Sequence, residues 1–594
     1  QVVMGSGVNW FELNDAEQTD IQFSAALTMD RVREAHPWIE TVAQITDEQS
    51  FFHWDLDFGS VFAQGGFDLQ IGNPPWVRPS TDVSALLAEH DPWFSLSSTP
   101  TQSDIDVRRN SMLLRVPAAT QTLEKGLTEI LAVSAMLRDR AQYPHLVNQQ
   151  PDLYRGFIER SWQNQSGDGV IALIHPESHF TEVEAVPLRK ESYRRLRLHW
   201  QFVNAEKLFE IDAKQSYSIS IYGPSRSLSD IRFNHTTSAI RPETILDSIK
   251  HDGAGLPPSL KNSEGKWNLA PHRERIQTIT LTELKAWSRI QGSTTLSPAE
   301  TRMVYTLSNR SAEILLKLAQ LPRLSELGFQ VSSGWHETTG KKKGLFDKSW
   351  QIPRESRDVI LKNKHFAISN PLHEQPNRRM SSTSDWSPID LEAIPDNFLP
   401  STIYFRQGSL RATELTYPTW VDRKGTSCSS SNYYRIIWRE HVKMANARSV
   451  FPALIPPGPK HTHSSMSLAF PNDLPQTILV GASLSTLMSD YFFRTFGSDH
   501  VSVSRLGSLP LLFRPDSEIG VLASGLFLQL NALTKDYNTA VEAVLTKRWS
   551  AGFPERNARA RRLLQTELDA LATLSANIPI DDLIYLYYSH FPIE

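Results

Sequence analysis

Cysteine is almost absent: Cys428 is the one thiol in 594 residues. That excludes a disulfide framework and fits a reducing compartment, so a cytoplasmic location is expected. No run of about 18 apolar residues occurs, which leaves no candidate membrane span. The amino terminus has no basic stretch followed by an apolar one, so no secretory signal is expected. A Gly-Lys-Ser/Thr phosphate loop is missing. An Asp with Glu-x-Lys nuclease constellation is not evident either, since Glu283-Leu284-Lys285 matches by form alone and sits on an expected helix. His461-Thr462-His463 has no second ligand cluster, so it reads as a solvated loop and no metal is expected. A starting Met is also lacking. The chain opens on Gln1, and a fragment or processed product is expected.

What is present is ordinary in bulk and uneven in detail. Hydrophobic residues make up 40% and charged residues 21%, the balance of a soluble protein with two to four domains. Net charge is −4, yet residues 301–460 hold 23 Lys/Arg against 14 Asp/Glu, whereas residues 1–110 are acidic. A basic middle suits a polyanion-facing segment.

Residues 11–50 read as helical, with Asn14 or Asp15 as cap and apolar positions at Ile21, Phe23, Ala26, Leu27 and Val32. From Phe51 the pattern becomes short and strand-like. Residues 80–150 are polar and helical, an insertion that could cover a substrate. A helix from Asp152 is expected to end at Gly167–Gly169, before the buried-type strand Val170–Ile174. A loop His175–Phe180, a helix near Leu188–Leu196, and strands near Trp200–Val203 and Tyr217–Tyr222 follow. Helix alternating with buried strand predicts an α/β layer with a largely parallel sheet, the last two strands forming an antiparallel pair. The expected organisation is a catalytic domain over 1–235, a connection over 236–300, a second domain over 301–515 and a helical end over 516–594.

The most informative stretch is Phe67-Asp68-Leu69-Gln70-Ile71-Gly72-Asn73-Pro74-Pro75-Trp76. An exocyclic amino group on a planar ring is a poor nucleophile, because its lone pair is delocalised. Two acceptors aimed at its N–H bonds favour a pyramidal nitrogen with a free lone pair. The Asn73 side-chain oxygen and the Pro74 carbonyl can supply them, preorganised by two prolines. Trp76 offers a flat face on which an extruded base can stack.

This stretch resembles motif IV of the N6-adenine DNA methyltransferases. More narrowly, the chain resembles the Eco57I-type restriction-modification methylases and related phage-defence methyltransferases. Phe52-His53-Trp54-Asp55-Leu56-Asp57-Phe58 before Gly65-Gly66-Phe67-Asp68 is similar to the family's aromatic-acidic segment. The segments at Asp152–Phe157, Gly169–Pro176, Leu188-Arg189 and Tyr217–Tyr222 continue the match in order. The resemblance implies S-adenosylmethionine as cofactor, with Asp57 and Phe58 contacting its adenosine part, and a flipped adenine held between Trp76 and Phe209. It also implies a partial Rossmann-like class I sheet, then an α+β target-recognition domain in which Leu454-Ile455-Pro456-Pro457-Gly458 recurs, and double-stranded DNA and other restriction or defence subunits as partners. In that domain Trp335, Lys341, Lys342, Lys343, Arg435 and Arg439 are candidate DNA contacts.

The family's acidic-Pro-x-x-Gly-x-Gly cofactor loop is not evident; Met4-Gly5-Ser6-Gly7 has too few residues before it, so the cofactor-binding half is expected upstream. Cys428 lacks the preceding proline of cytosine-C5 enzymes and reads as a thiol in a polar loop. Asn at the first motif position favours adenine over N4-cytosine. A non-catalytic DNA-binding module with an incomplete methylation site remains the rival expectation.

Overall fold

The computed structural model describes residues 29–591, apart from 81, 98–99, 214, 263, 293–296, 381, 383–384, 423, 443–446 and 496–499. The caps and first apolar positions expected over 11–28, and Met4–Gly7, lie outside the described residues. Two compact units are formed, Gln1–Leu69 with Asn164–Gly169, and Gln70–Gln163 with Val170–Glu594.

In the first unit the expected helix is broken into Met29–Ala35 and Trp38–Gln49, with Pro37 between them, where a ring replaces the backbone N–H. The stretch from Phe51 was expected to be strand-like. It instead forms two single helical turns, Trp54–Asp57 and Gly59–Phe62, before strand β1 (Phe67–Gly72) begins. The Phe67 amide donates to Asn164 O at 2.9 Å and Ser166 Oγ to Asp68 Oδ1 at 2.9 Å.

β1 is one end of a six-stranded sheet with β2 (Gln165–Pro176), β3 (Leu196–Val203), β4 (Ser216–Tyr222), β5 (Arg232–Ala239) and β6 (Gln277–Thr280), in the order β1-β2-β4-β3-β5-β6. Along β2 burial alternates: Ile171, Leu173 and His175 are buried, whereas Val170 is exposed and Ala172 and Ile174 are half-buried. β2 starts at Gln165, so the preceding helix, Leu153–Gln163, ends earlier than Gly167. β4 runs antiparallel to both β2 and β3, β3 is parallel to β5, and β6 is antiparallel to β5. The sheet is therefore mixed, not largely parallel. It also continues past residue 235, because β5 and β6 supply two more rungs before Thr280.

After β1 come four helices, Val83–Ala88, Trp93–Leu96, Gln102–Arg115 and Pro117–Arg138, with a small core of their own at Leu87, Phe94, Met112 and Ala119. Glu283 closes a capping box on the helix Leu281–Ile290, accepting from the Thr280 amide at 2.8 Å. A four-stranded antiparallel sheet follows, in the order Ala453–Ile455, Arg435–Arg439, Ser465–Ala469, Gln330–Ser332. The last part is helical, with Glu518–Asn531, Asn538–Leu545, Ala558–Ser575 and Ile580–His590. The molecule is thus mixed α/β with several sheets. Among the described residues no helix is long and apolar enough to cross a membrane.

Candidate active site

The tetrapeptide leaves β1 at its carboxyl end. Gln70 Nε2 donates to Ser161 O at 2.9 Å, which ties the strand to the preceding turn of the helix Leu153–Gln163. Pro74 is buried while Asn73 and Pro75 are exposed. Among the described residues no hydrogen bond engages the Asn73 side chain, so its amide is available to a ligand.

Beyond the motif the chain is fastened. The Leu153 amide donates to Val77 O at 3.1 Å. Arg78 reaches Asp152 (3.4 Å), Gln150 (3.2 Å) and Glu182 (3.3 Å). Glu182 also accepts from Arg155, which donates to Gln149 Oε1 (3.1 Å) and Ser178 Oγ (2.8 Å). Burial pushes the Asp152 carboxyl up, against the pull of Arg155 and Arg78. The exit of the motif is held by a charged lattice, whereas Asn73 itself stays unencumbered.

Trp76 lies over one face of the sheet. Its indole N–H donates to Ile174 O at 3.2 Å. Its ring meets Phe209 at 4.8 Å between centroids and Tyr217 at 5.8 Å, and Phe209 meets Tyr217 edge-on at 4.8 Å. Phe202, Trp200 and Ile219 complete this apolar surface. A base stacked between two rings needs them about 7 Å apart, at twice van der Waals separation. Trp76 and Phe209 touch each other directly in this conformation, so a base could enter between them only after the ring of Phe209 turns away.

Strand alternation puts a different set on the opposite face. His175, Ser218 and Gln201 lie side by side across β2, β4 and β3, with His199 and Ser220 next to them. Glu177, just beyond β2, accepts from His199 Nε2 (3.0 Å) and from the Tyr305 hydroxyl (2.6 Å), while His199 Nδ1 meets His235 Nδ1 at 2.9 Å. Burial pushes the Glu177 carboxyl up, but His199 and the hydrogen bonds from His199, Ser218 and Tyr305 outweigh that and hold it at about 2. Sequence reasoning treated His175–Phe180 as a plain loop. The missed signal was polar residues at every second position of two adjacent strands, β3 and β4, with His175 of β2 beside them.

Asp57, in a stretch expected to be strand-like, ends the helical turn Trp54–Asp57. Its Oδ2 accepts from the His53 amide at 3.0 Å, and the residue is exposed. Phe58 stacks on Trp54 (5.7 Å, 26°) and meets Phe67 edge-on at 5.1 Å. An exposed carboxylate beside aromatic rings fits a nucleoside, with the acid for a ribose hydroxyl and the rings for a base.

The candidate DNA contacts divide into two groups. Lys341, Lys342 and Lys343 are exposed at the end of the helix Glu337–Lys342. Trp335 and Arg435 were expected at a surface and are instead buried. The Trp335 indole donates to Thr416 O at 3.3 Å, and Arg435 donates to Pro459 O and to the Tyr417 hydroxyl. Arg439 donates to Phe366 O at 2.6 Å and lies 4.3 Å from the centre of the Phe451 ring. The backbone carbonyls of Pro459 and Phe366 take up part of the donor set of Arg435 and Arg439 inside the fold, while the Nε of each finds no partner, and residue type alone does not reveal this. His461 also departs from the solvated loop expected of it: it is buried, with Nε2 2.8 Å from Ser467 Oγ. Cys428 sits on the short strand Ser427–Ser429.

Residues 12–100 match the Eco57I restriction-modification methylase family. The match contains the tetrapeptide, Asp57 and Phe58, while the segments from Asp152 to Tyr222 that also carried the resemblance lie beyond it. No curated protein matches the chain. Among solved structures, the chain is similar to the type IIG restriction endonuclease BpuSI at 12% identity, covering 86% of this chain and 54% of that one with a TM-score of 0.26. It is similar to the type IIL restriction-modification enzyme MmeI in complex with DNA at 10% identity, covering 88% and 56% with a TM-score of 0.34. For the DrdV–DNA complex the values are 10%, 78%, 44% and 0.29. The chain spans about half the length of these structures.

Proposed function

We propose that the chain is the motif-bearing part of an S-adenosylmethionine-dependent DNA methyltransferase of a restriction-modification or phage-defence system, acting on adenine N6. The observation that carries this reading is Asn73, with its amide free, on a proline-fixed turn beside the aromatic surface of Trp76, Phe209 and Tyr217. The Eco57I match, which spans Asn73 and Trp76, supports it. The strand order, with the antiparallel β4 between β2 and β3, supports a partial Rossmann-like methyltransferase sheet.

In this reading adenine leaves the duplex and stacks on Trp76, with Phe209 displaced from its present contact. Asn73 Oδ1 and the Pro74 carbonyl accept from the two amino N–H bonds, which localises the lone pair on nitrogen. The cofactor, when bound, supplies an electrophilic methyl on sulfur. Asp57 would hold its ribose and Phe58 would border its base. Orientation and preorganised acceptors supply the rate, with the Arg78 lattice keeping the turn in register. Lys341, Lys342 and Lys343 would meet phosphates as point charges.

The test is Asn73→Ala in the intact protein, with tritiated methyl incorporation into amplified, unmodified DNA. A loss of about a hundred- to a thousandfold in turnover is expected, the scale for one preorganised group, with DNA retention on a filter little changed. Unchanged incorporation would overturn the assignment. The closed Trp76–Phe209 contact favours a second reading, a DNA-binding module without turnover. Titration calorimetry with S-adenosylmethionine separates the two, because the module binds none.

A further inference from the structure

The connection from β3 to β4 carries Phe209, and one buried side chain organises it. Asn204 directly follows β3 and is 1% exposed. Its Nδ2 donates to Phe209 O at 2.9 Å and to Ile211 O at 3.1 Å, and its Oδ1 accepts from the Phe209 amide at 3.1 Å. Its own amide donates to Gln215 O at 3.0 Å, closing the base of the loop, and its carbonyl accepts from Lys207 at 2.9 Å. Lys207 adopts φ +53°, the left-handed bend that turns the chain back toward Asn204. The side chains of the exposed neighbours Glu206, Lys207 and Leu208 take no part in the grip.

We infer that Asn204 is a positioning residue for Phe209: it clamps the Phe209 backbone on both its N–H and C=O, so that the ring opens from Trp76 by side-chain rotation while the loop stays in place. This rests on the reading of Trp76 and Phe209 as the base-holding pair. The physical case is one of fit. An amide is the one neutral side chain of this size with two donors on one atom and an acceptor on the other, which is the set that two carbonyls and one N–H require. Loss of the grip leaves three backbone groups beside the aromatic surface without their partner. A displaced loop would carry the ring away from Trp76 and Tyr217, and a misplacement of about 1 Å is enough to slow transfer roughly a hundredfold.

The experiment is a double-mutant cycle in the intact protein, with Asn204→Ala, Phe209→Ala, the double variant and Asn204→Asp. Methyl incorporation into amplified, unmodified DNA is resolved into kcat and KM. Hydrogen exchange is followed over residues 205–211. Asn204→Ala should lower kcat roughly ten- to a hundredfold with KM for DNA little changed. The double variant should be no slower than Phe209→Ala alone, since Asn204 acts through that ring. Exchange over 205–211 should rise while β3 and β4 keep their protection, a readout that needs no turnover. Asn204→Asp keeps the shape and the acceptor but faces two carbonyls with a carboxylate, so it should not restore the rate. Additive losses in the double variant, unchanged exchange, or full activity of Asn204→Asp would each overturn the inference. Full activity of Asn73→Ala in parallel would overturn the methyltransferase reading instead, and the exchange result would still stand or fall on its own.

Discussion

Single buried histidines set how this protein responds to acid. His365 accepts from the Lys362 amide at Nδ1 (2.8 Å) and faces Ser401 O at 3.0 Å through Nε2, so the neutral ring with its proton on Nε2 satisfies both neighbours. Burial holds His365 and His175 at about 4 and His461 at about 3. All three are unprotonated in the fold, yet each takes a proton in the unfolded chain below about 6.5. The unfolded state then binds more protons, so stability falls as pH drops from about 6.5 toward 4. At pH 5 each ring costs about 2 kcal/mol, and three together reach the scale of a domain's whole stability. The urea midpoint should therefore be clearly lower at pH 5 than at pH 7; an equal or higher midpoint at pH 5 would mean the rings are charged inside the fold. Glu177 works in a lower window. Its carboxyl is held at about 2 against an ordinary 4.5, so its contribution is present above 4.5 and is lost on the way to 2. Glu177→Gln should lower stability at pH 7, and the gap to wild type should narrow below 4.5. None of this was legible beforehand. A histidine in a strand gives no sign of whether its nitrogens meet carbonyls, water or a metal, and His461 read as solvated for that reason.

At the scale of elements, the buried strands were legible and the short turns were not. Val170–Ile174 announces itself as an apolar run, and Tyr217–Tyr222 by β-branched and aromatic residues alternating with Ser218 and Ser220. Trp54–Asp57 misleads because its residues alternate apolar and acidic, the period of a strand. A local bond from the His53 amide to the Asp57 carboxylate decides for the helical turn. Direction within the sheet was also hidden, since a parallel and an antiparallel strand buried on both faces share one composition. Turns that depend on close approach are invisible in the same way. Gly334 has φ +65°, and a Cβ there would lie 2.2 Å from His461 O. That is a backbone atom, which cannot rotate aside. Gly334→Ala should accordingly cost about 1–3 kcal/mol and loosen the turn that carries Trp335 and His336. Urea unfolding measures it, and a variant as stable as wild type would show that the two segments can part without loss.

At the scale of the molecule, four successive parts were expected, but the main core runs through them. One continuous cluster joins Leu173 and Tyr222 of the six-stranded sheet to Met303, Ile436, Phe527 and Phe591. Tyr305 reaches back to Glu177, and the Tyr585 hydroxyl lies 2.6 Å from Ser308 Oγ. The expected boundaries followed changes in composition, whereas cohesion depends on which apolar faces meet, and that is a property of the folded chain. The unit formed by Gln70–Gln163 and Val170–Glu594 should therefore melt in one calorimetric transition. Its weak point under mutation is the buried pair of Arg448 and Asp569, 3.0 Å apart, with each residue at most 1% exposed. Asp569 Oδ1 also accepts from the Leu487 amide at 2.5 Å, so this carboxylate ties the helix Leu487–Arg494 to the helix Ala558–Ser575. Burial pushes its carboxyl up, while Arg448 and the hydrogen bonds from Tyr587 and Leu487 keep the ionised form in reach. Arg448→Met leaves that charge without its counter-ion and should cost about 3–5 kcal/mol. Asp569→Asn removes one of the two carboxylates that face Arg448, with Asp490 the other, and the double variant should be milder than the sum of the two singles. If the parts were independent domains, Arg448→Met would split the melt and leave a second transition at the wild-type temperature. A single transition shifted as a whole is the expected outcome, because the same core that carries the C-terminal helices also backs the sheet from which Asn73 projects.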